Sequence, residues 1–130
     1  MEAPEQIAAE IREREPVFHR LPPNTTRDDL EPRLVGDFFE IGASGRIYSR
    51  ERVIETVVDR YARGEDELEH TITEFEVREL SEHVFLATYL LAQPDGPVLR
   101  TTRRATLWTN ELGRWQVVYH QGTIAEPTPT

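Results

Sequence analysis

The chain has 130 residues, of which 38% are hydrophobic and 30% charged, and 24 acidic against 15 basic side chains leave a net charge of −9. That length supports one domain with a real core and not two, so residues 1–130 are read as a single unit with an ordered core over about 5–125. The negative balance excludes a binder driven by the nucleic-acid backbone and disfavours an anionic membrane surface. The absence of cysteine excludes disulfides, a thiolate nucleophile and a cysteine-based zinc site.

All 15 bases are Arg, which reads as the codon usage of a GC-rich genome and not as a functional signal. The first residues show no basic stretch leading into an apolar one, and no apolar run approaches the length of a membrane span, so a bacterial cytoplasmic setting is expected.

In chain order, Ile7, Ala8 and Ile11 fit an amphipathic helix that starts near Pro4 and is ended or kinked by Pro16. Leu21–Asn24 is a loop. Thr26 with Asp29 three residues on resembles a capping box and predicts a short helix over 27–35, despite Pro32, with Gly36-Asp37 marking its end. Residues 38–41 are a short strand, 42–45 a turn, and 46–48 the returning arm of a small hairpin. Ser49 is an N-cap for a helix over 50–63, where Val53, Ile54, Val57, Val58 and Tyr61 fall on one stripe and Gly64 closes the C-terminus. Residues 65–69 form an acidic linker, and the tail from Pro127 is expected to be disordered.

Four strand-like segments follow, 71–80, 84–92, 99–110 and 115–123, separated by short breaks rich in turn residues. Such spacing permits antiparallel neighbours and no helical crossover, so a meander is expected. The fold class is α+β: a curved, cone-shaped antiparallel sheet made of a β-hairpin and a four-stranded meander. About three N-terminal helices cover one face.

Period-two alternation sorts the candidate site residues. Phe38, Glu40 and Gly42 share one side of their strand. Glu40 between aromatic neighbours reads either as a general base with a raised pKa or as a structural carboxylate holding an arginine or turn amides. Arg100, Thr102, Arg104, Thr106 and Trp108 share a face suited to gripping a small anion through a guanidinium. The alternative is that Arg104 pairs with Glu40 and Trp108 belongs to the core. On the last strand, alternation puts Trp115, Val117, Tyr119 and Gln121 on one side and Gln116, Val118, His120 and Gly122 on the other. His120 is the candidate for proton transfer, because its ordinary pKa lies near neutrality; a structural or dimer-contact histidine is the competing reading. His19, His70 and His83 show no ligand spacing, so no metal site is expected.

Three motifs carry a resemblance. The run Asp37-Phe38-Phe39-Glu40-Ile41-Gly42-Ala43-Ser44-Gly45-Arg46-Ile47-Tyr48 resembles a D-F-x-E-x-G-x-S-G-x-x-Y signature. Residues 104–108, Arg-Ala-Thr-Leu-Trp, and 114–123, ending His120-Gln121-Gly122-Thr123, resemble the last two strands of the same group. That group is an uncharacterised SnoaL-like bacterial branch of the nuclear-transport-factor-2-like superfamily, and the resemblance spans Ile7–Thr123. It implies a cone-shaped pocket between sheet and helices, with Phe38, Ser44, Tyr61, Tyr89, Arg104, Trp108, Tyr119 and Gln121 as ligand-binding candidates. It implies no cofactor, and a homodimer formed through the sheet, with which Val84–Leu91, apolar on both faces, is compatible.

The superfamily hosts isomerases, cyclases, dehydratases, transport adaptors and association domains on one scaffold. Its ketosteroid-isomerase-like members use an Asp base with Tyr or acid hydrogen-bond donors. Here Tyr48, Tyr61, Tyr89 and Tyr119 are available as donors, but Asp37 at a strand entrance is the one suitably placed Asp and none is expected within the meander strands, so that constellation does not carry over. Three functions stay open: a small-molecule-binding domain, a cofactor-free isomerase- or cyclase-like enzyme with Glu40 or His120 as base, and an association module with a filled pocket.

Overall fold

A computed structural model describes residues 4–65 and 69–125. The expected acidic linker lies partly outside the described residues, and the tail from Pro127 wholly so. Helix α1 spans Pro4–Arg14, α2 Arg27–Leu30 and α3 Arg50–Ala62. The strands are β1 Leu34–Ile41, β2 Ile47–Ser49, β3 Thr71–Ser81, β4 Val84–Asp95, β5 Val98–Thr109 and β6 Gln116–Ile124. They form one six-stranded sheet in the order β2-β1-β6-β5-β4-β3. The architecture is α+β, a curved sheet carrying three helices.

The meander arises as the short breaks predicted, with β3–β4, β4–β5 and β5–β6 all antiparallel. The hairpin β1–β2 joins it through β1, which runs parallel to β6. The sheet is therefore antiparallel except at this one pairing, a long-range contact that no local signal specifies.

Two boundaries differ from the sequence reading. The second helix stops at Leu30, because Pro32 opens a 3-10 turn over Glu31–Arg33 and the strand already begins at Leu34. Gly36 and Asp37 therefore lie inside β1, where the register with β6 is irregular between Leu34 and Phe39. Strand β4 runs on to Asp95, paired with Val98, so only Gly96 and Pro97 form the turn. Gly96 has φ +62, the positive value that a two-residue hairpin turn takes at its first central position.

Helix α3 follows its signals closely. The Ser49 side chain accepts a hydrogen bond from the Arg52 amide at 3.2 Å. Val53, Ile54, Val57 and Tyr61 are buried on the stripe expected of an amphipathic helix. They meet Ile11, Leu30, Leu34, Phe38, Phe85, Trp108 and Val117 in a single core on the inner face of the sheet. At the end of the stripe the Tyr61 hydroxyl donates to the Phe18 carbonyl at 3.1 Å and accepts from the Leu21 amide at 3.2 Å. This one buried oxygen pins the loop between α1 and α2 onto α3. Replacing Tyr61 by Phe leaves the Leu21 amide without its acceptor, and chemical denaturation should show a loss of about 1–2 kcal/mol.

Candidate functional site

Alternation along β5 holds: Thr102, Thr106 and Trp108 are buried on the inner face and Arg104 is half-buried beside them. Along β6 it breaks. Leu107 pairs with Tyr119 but Trp108 pairs with Val117, so Val118 is an extra residue opposite no partner, a β-bulge. The bulge resets the parity, and both Val117, 1% exposed, and His120, 3% exposed, point inward. Tyr119 and Gln121 consequently lie on the outer face, where the Tyr119 ring packs 4.9 Å from exposed Phe39 and its hydroxyl donates to Gln121 Oε1. They do not line the inner pocket with Glu40 and Arg104 as expected.

His120 and Glu40 sit opposite each other in the parallel β1–β6 register. The imidazole Nδ1 lies 2.8 Å from Glu40 Oε1. A carboxylate at that position makes Nδ1 the protonated nitrogen in the neutral ring and leaves Nε2 as the basic one. Nε2 is buried and has no hydrogen-bond partner among the described residues. Glu40 thus holds a histidine and not Arg104, whose Nε donates instead to Thr102 Oγ1 at 3.1 Å. Gly122 is the residue paired with Arg104, and the long side chain lies over it.

The other candidates fall into structural roles. Phe38, 2% exposed, meets Phe18 edge to face in the core. Ser44 is exposed in the β1–β2 turn, where its hydroxyl accepts from the Arg46 amide at 3.4 Å. Tyr61 is the loop anchor described above. Tyr89 and Trp108 donate, at 2.7 and 2.9 Å, to the two oxygens of Glu15.

Glu15 itself gave no signal in the sequence, where it reads as one more charge at the end of a helix before Pro16. In the fold it is fully buried. Burial pushes its carboxyl above the usual carboxylate range, against the opposing pull of His120 and of the Tyr89 and Trp108 hydrogen bonds. Tyr89 is raised in turn, first by burial and then by the neighbouring carboxylate.

Between α3 and the sheet lies a cleft of about 500 Å³ lined by Glu40 and His120, by Phe18 and His19, and by Arg46, Arg52, Arg60, Arg100 and Arg104. His19 is held neutral there: burial first, then the charges of Arg60 and Arg104, lower its pKa to about 3. Sequence reasoning placed Arg100 and Arg104 together on β5 but missed Arg46, Arg52 and Arg60 as their companions, since these come from α3 and the β1–β2 turn. The available signal was their phase: Arg52 and Arg60 fall on the Thr56 side of α3, and Arg100 shares the Arg104 face of β5. Among the described residues no group of three or more His, Cys, Asp or Glu is placed to hold a metal ion.

This fold is shared with known proteins. No family model and no curated protein matches the sequence, but solved structures do. An NTF2-like protein from Cytophaga hutchinsonii superposes with a TM-score of 0.68 at 17% identity, covering 96% of this chain and 100% of that one. A Streptomyces avermitilis protein of the NTF2-like family, described as a candidate dehydratase, gives 0.72 at 13% identity, covering 96% and 100%. An NTF2-like protein of unknown function from Pseudomonas putida gives 0.70 at 12% identity, covering 95% and 90%. The chain has the nuclear-transport-factor-2-like fold.

The buried carboxyl has a testable sign. Between its ordinary value of 4.5 and its raised folded value, Glu15 keeps in the native state a proton that the unfolded chain releases, so its contribution to stability falls as pH rises through that window. Denaturation of wild type and Glu15→Gln from pH 4 to 8 should show wild type losing stability relative to the variant as pH increases. A pH-independent difference would mean that the carboxyl does not titrate upward of its ordinary value.

Proposed function

We propose that this chain is a small-molecule-binding domain whose ligand occupies the cleft between α3 and the inner face of the sheet. The observation that carries the reading is the cleft's composition. A closed cone filled by its own side chains would leave no such volume, yet polar groups from α3, β1, β5 and β6 converge on about 500 Å³ of space, within the range of small-ligand sites. The resemblance of the hairpin and last two strands to the SnoaL-like branch is in keeping with this.

A second reading, proton transfer, is favoured by one feature. The Glu40–His120 hydrogen bond orients the imidazole and fixes its tautomer, as a general base requires. The candidate-dehydratase description of the Streptomyces avermitilis neighbour belongs to a protein only 13% identical and serves as analogy alone.

One experiment addresses both. Thr56 is exposed on the cleft rim, so Thr56→Trp should block the cleft and leave the fold intact. Compounds from a thermal-shift library that stabilise wild type, by about 2.7 kcal/mol at a hundredfold excess over Kd, should lose that effect in the variant. Library compounds that stabilise both proteins alike, or none at all, would defeat the reading. Turnover of a bound compound that falls at least about 100-fold in Glu40→Gln would establish the second reading, and binding without turnover would dismiss it.

We also infer that the outer face of the sheet pairs with a second copy of the chain. Phe39, Ile41, Leu107, Val118 and Tyr119 line an apolar depression there of about 330 Å³, and Phe39 is 42% exposed. Beside it on the same face, Glu74 and Glu76 of β3 and Arg103 of β5 line a second depression. These opposite charges suit an isologous contact, in which each patch meets its complement twice. Light scattering after gel filtration should give a dimer for wild type and a monomer for Phe39→Glu at equal concentration. A monomeric wild type at about 100 μM would refute the pairing.

A further inference from the structure

Five of the fifteen arginines line this one cleft, in a chain whose net charge is −9. They form two rows and a rim. Arg52 and Arg60 are eight residues apart on α3, with Thr56 midway, so they share a helical face. Arg100 and Arg104 flank Thr102 on the inner side of β5, and Arg46 lines the cleft from the β1–β2 turn.

Among the described residues the positive charge is only partly compensated, with Glu40 and the buried Glu15 favouring the charge of Arg104. Glu40 is the sole carboxylate among the residues that line the cleft, and it is bound to His120. Ion pairs of arginine with acids among the described residues use Arg27 and Arg63, and none uses a cleft arginine. The two deeper guanidiniums are positioned by neutral groups. Arg60 Nη2 donates to the Phe18 carbonyl while Arg60 Nε is buried without a partner among the described residues. Arg104 Nε donates to Thr102. Burial also opposes the charge on Arg104, and its lowered pKa records that cost first. Held guanidiniums with unused N–H groups, brought to one cleft from α3 and β5, focus the field on whatever enters.

Resting on the reading of the cleft as a small-molecule site, we propose that its ligand is a small organic molecule bearing at least two negative charges as carboxylate or phosphate groups. The planar fork of Arg matches both groups bidentately. Two rows fit two anionic ends, one against α3 and one against β5. The chain's negative exterior and the limited volume exclude a nucleic-acid backbone as the occupant.

The test uses succinate, its neutral near-isostere succinamide, and inorganic phosphate, measured by calorimetry on the intact chain at low ionic strength. Succinate or phosphate should bind saturably and succinamide should not. Arg52→Gln with Arg100→Gln, both exposed rim positions, should weaken anion binding at least tenfold. Arg78→Gln, exposed on β3 away from the cleft, should leave it unchanged. Equal binding of succinate and succinamide, or full affinity in the Arg52/Arg100 variant, overturns the charge assignment. So does the absence of saturable anion binding below about 10 mM. Anion binding that survives Thr56→Trp is adventitious and also overturns it. If neutral compounds bind and Thr56→Trp abolishes that binding, the cleft remains a ligand site and only its charge class falls.

Discussion

The arrangement depends on a carboxyl group that has no contact with solvent. Glu15, at the end of α1, receives hydrogen bonds from Tyr89 on β4 and Trp108 on β5, and so ties the N-terminal segment to the inner face of the meander. Removing a carboxylate from water is costly, and the cost is tolerable only where directed donors replace the lost hydration. An indole N–H and a phenol hydroxyl supply those donors here. Because both are also large aromatic groups, the same side chains that satisfy the carboxyl fill the core around it. The pocket-forming half of the cone begins where this polar knot ends, at Thr106 and His120.

From that knot outward the polar groups become progressively more available. Glu15 is sealed, Glu40 is about one-fifth exposed at its side chain, and the arginines of the rim reach solvent. A gradient of this kind favours charge-neutralising contacts deep in the cleft, where they are least screened, and leaves the rim to govern approach. The outer face of the same sheet is built differently, with aromatic and aliphatic groups around Phe39 and Tyr119. Strand alternation lets one set of strands serve both surfaces.

Much of this was legible in the sequence. Periodicity and caps gave α1, α3 and the meander, and the two-residue alternation of β5 correctly grouped Thr102, Arg104, Thr106 and Trp108. The hairpin and last-strand motifs led to the fold. What escaped had physical reasons. The bulge at Val118 lies in a Val-Val pair with no glycine or proline to mark it, and its effect is to exchange the predicted faces of everything after it. His120 therefore meets Glu40 across a parallel pairing that only the tertiary fold creates. Glu15 looks the same in sequence as the other acids of α1, since burial is conferred by elements more than 70 residues away. The arginine cleft is assembled from three elements, and charge on each alone reads as an ordinary solvated face.

The free margins of the sheet are also consequential. At one margin β2 has only three residues. At the other, β3 exposes Glu74, Glu76, Arg78 and Glu79, and Glu74 adopts φ +55, where the ladder to β4 loses register. Short, charged or kinked margins present no continuous row of unpaired amides and carbonyls, and so resist the addition of a foreign strand. Sideways growth into a filament of stacked chains is thereby opposed at both margins, and the faces of the sheet, not its edges, are left as the surfaces on which another molecule can settle.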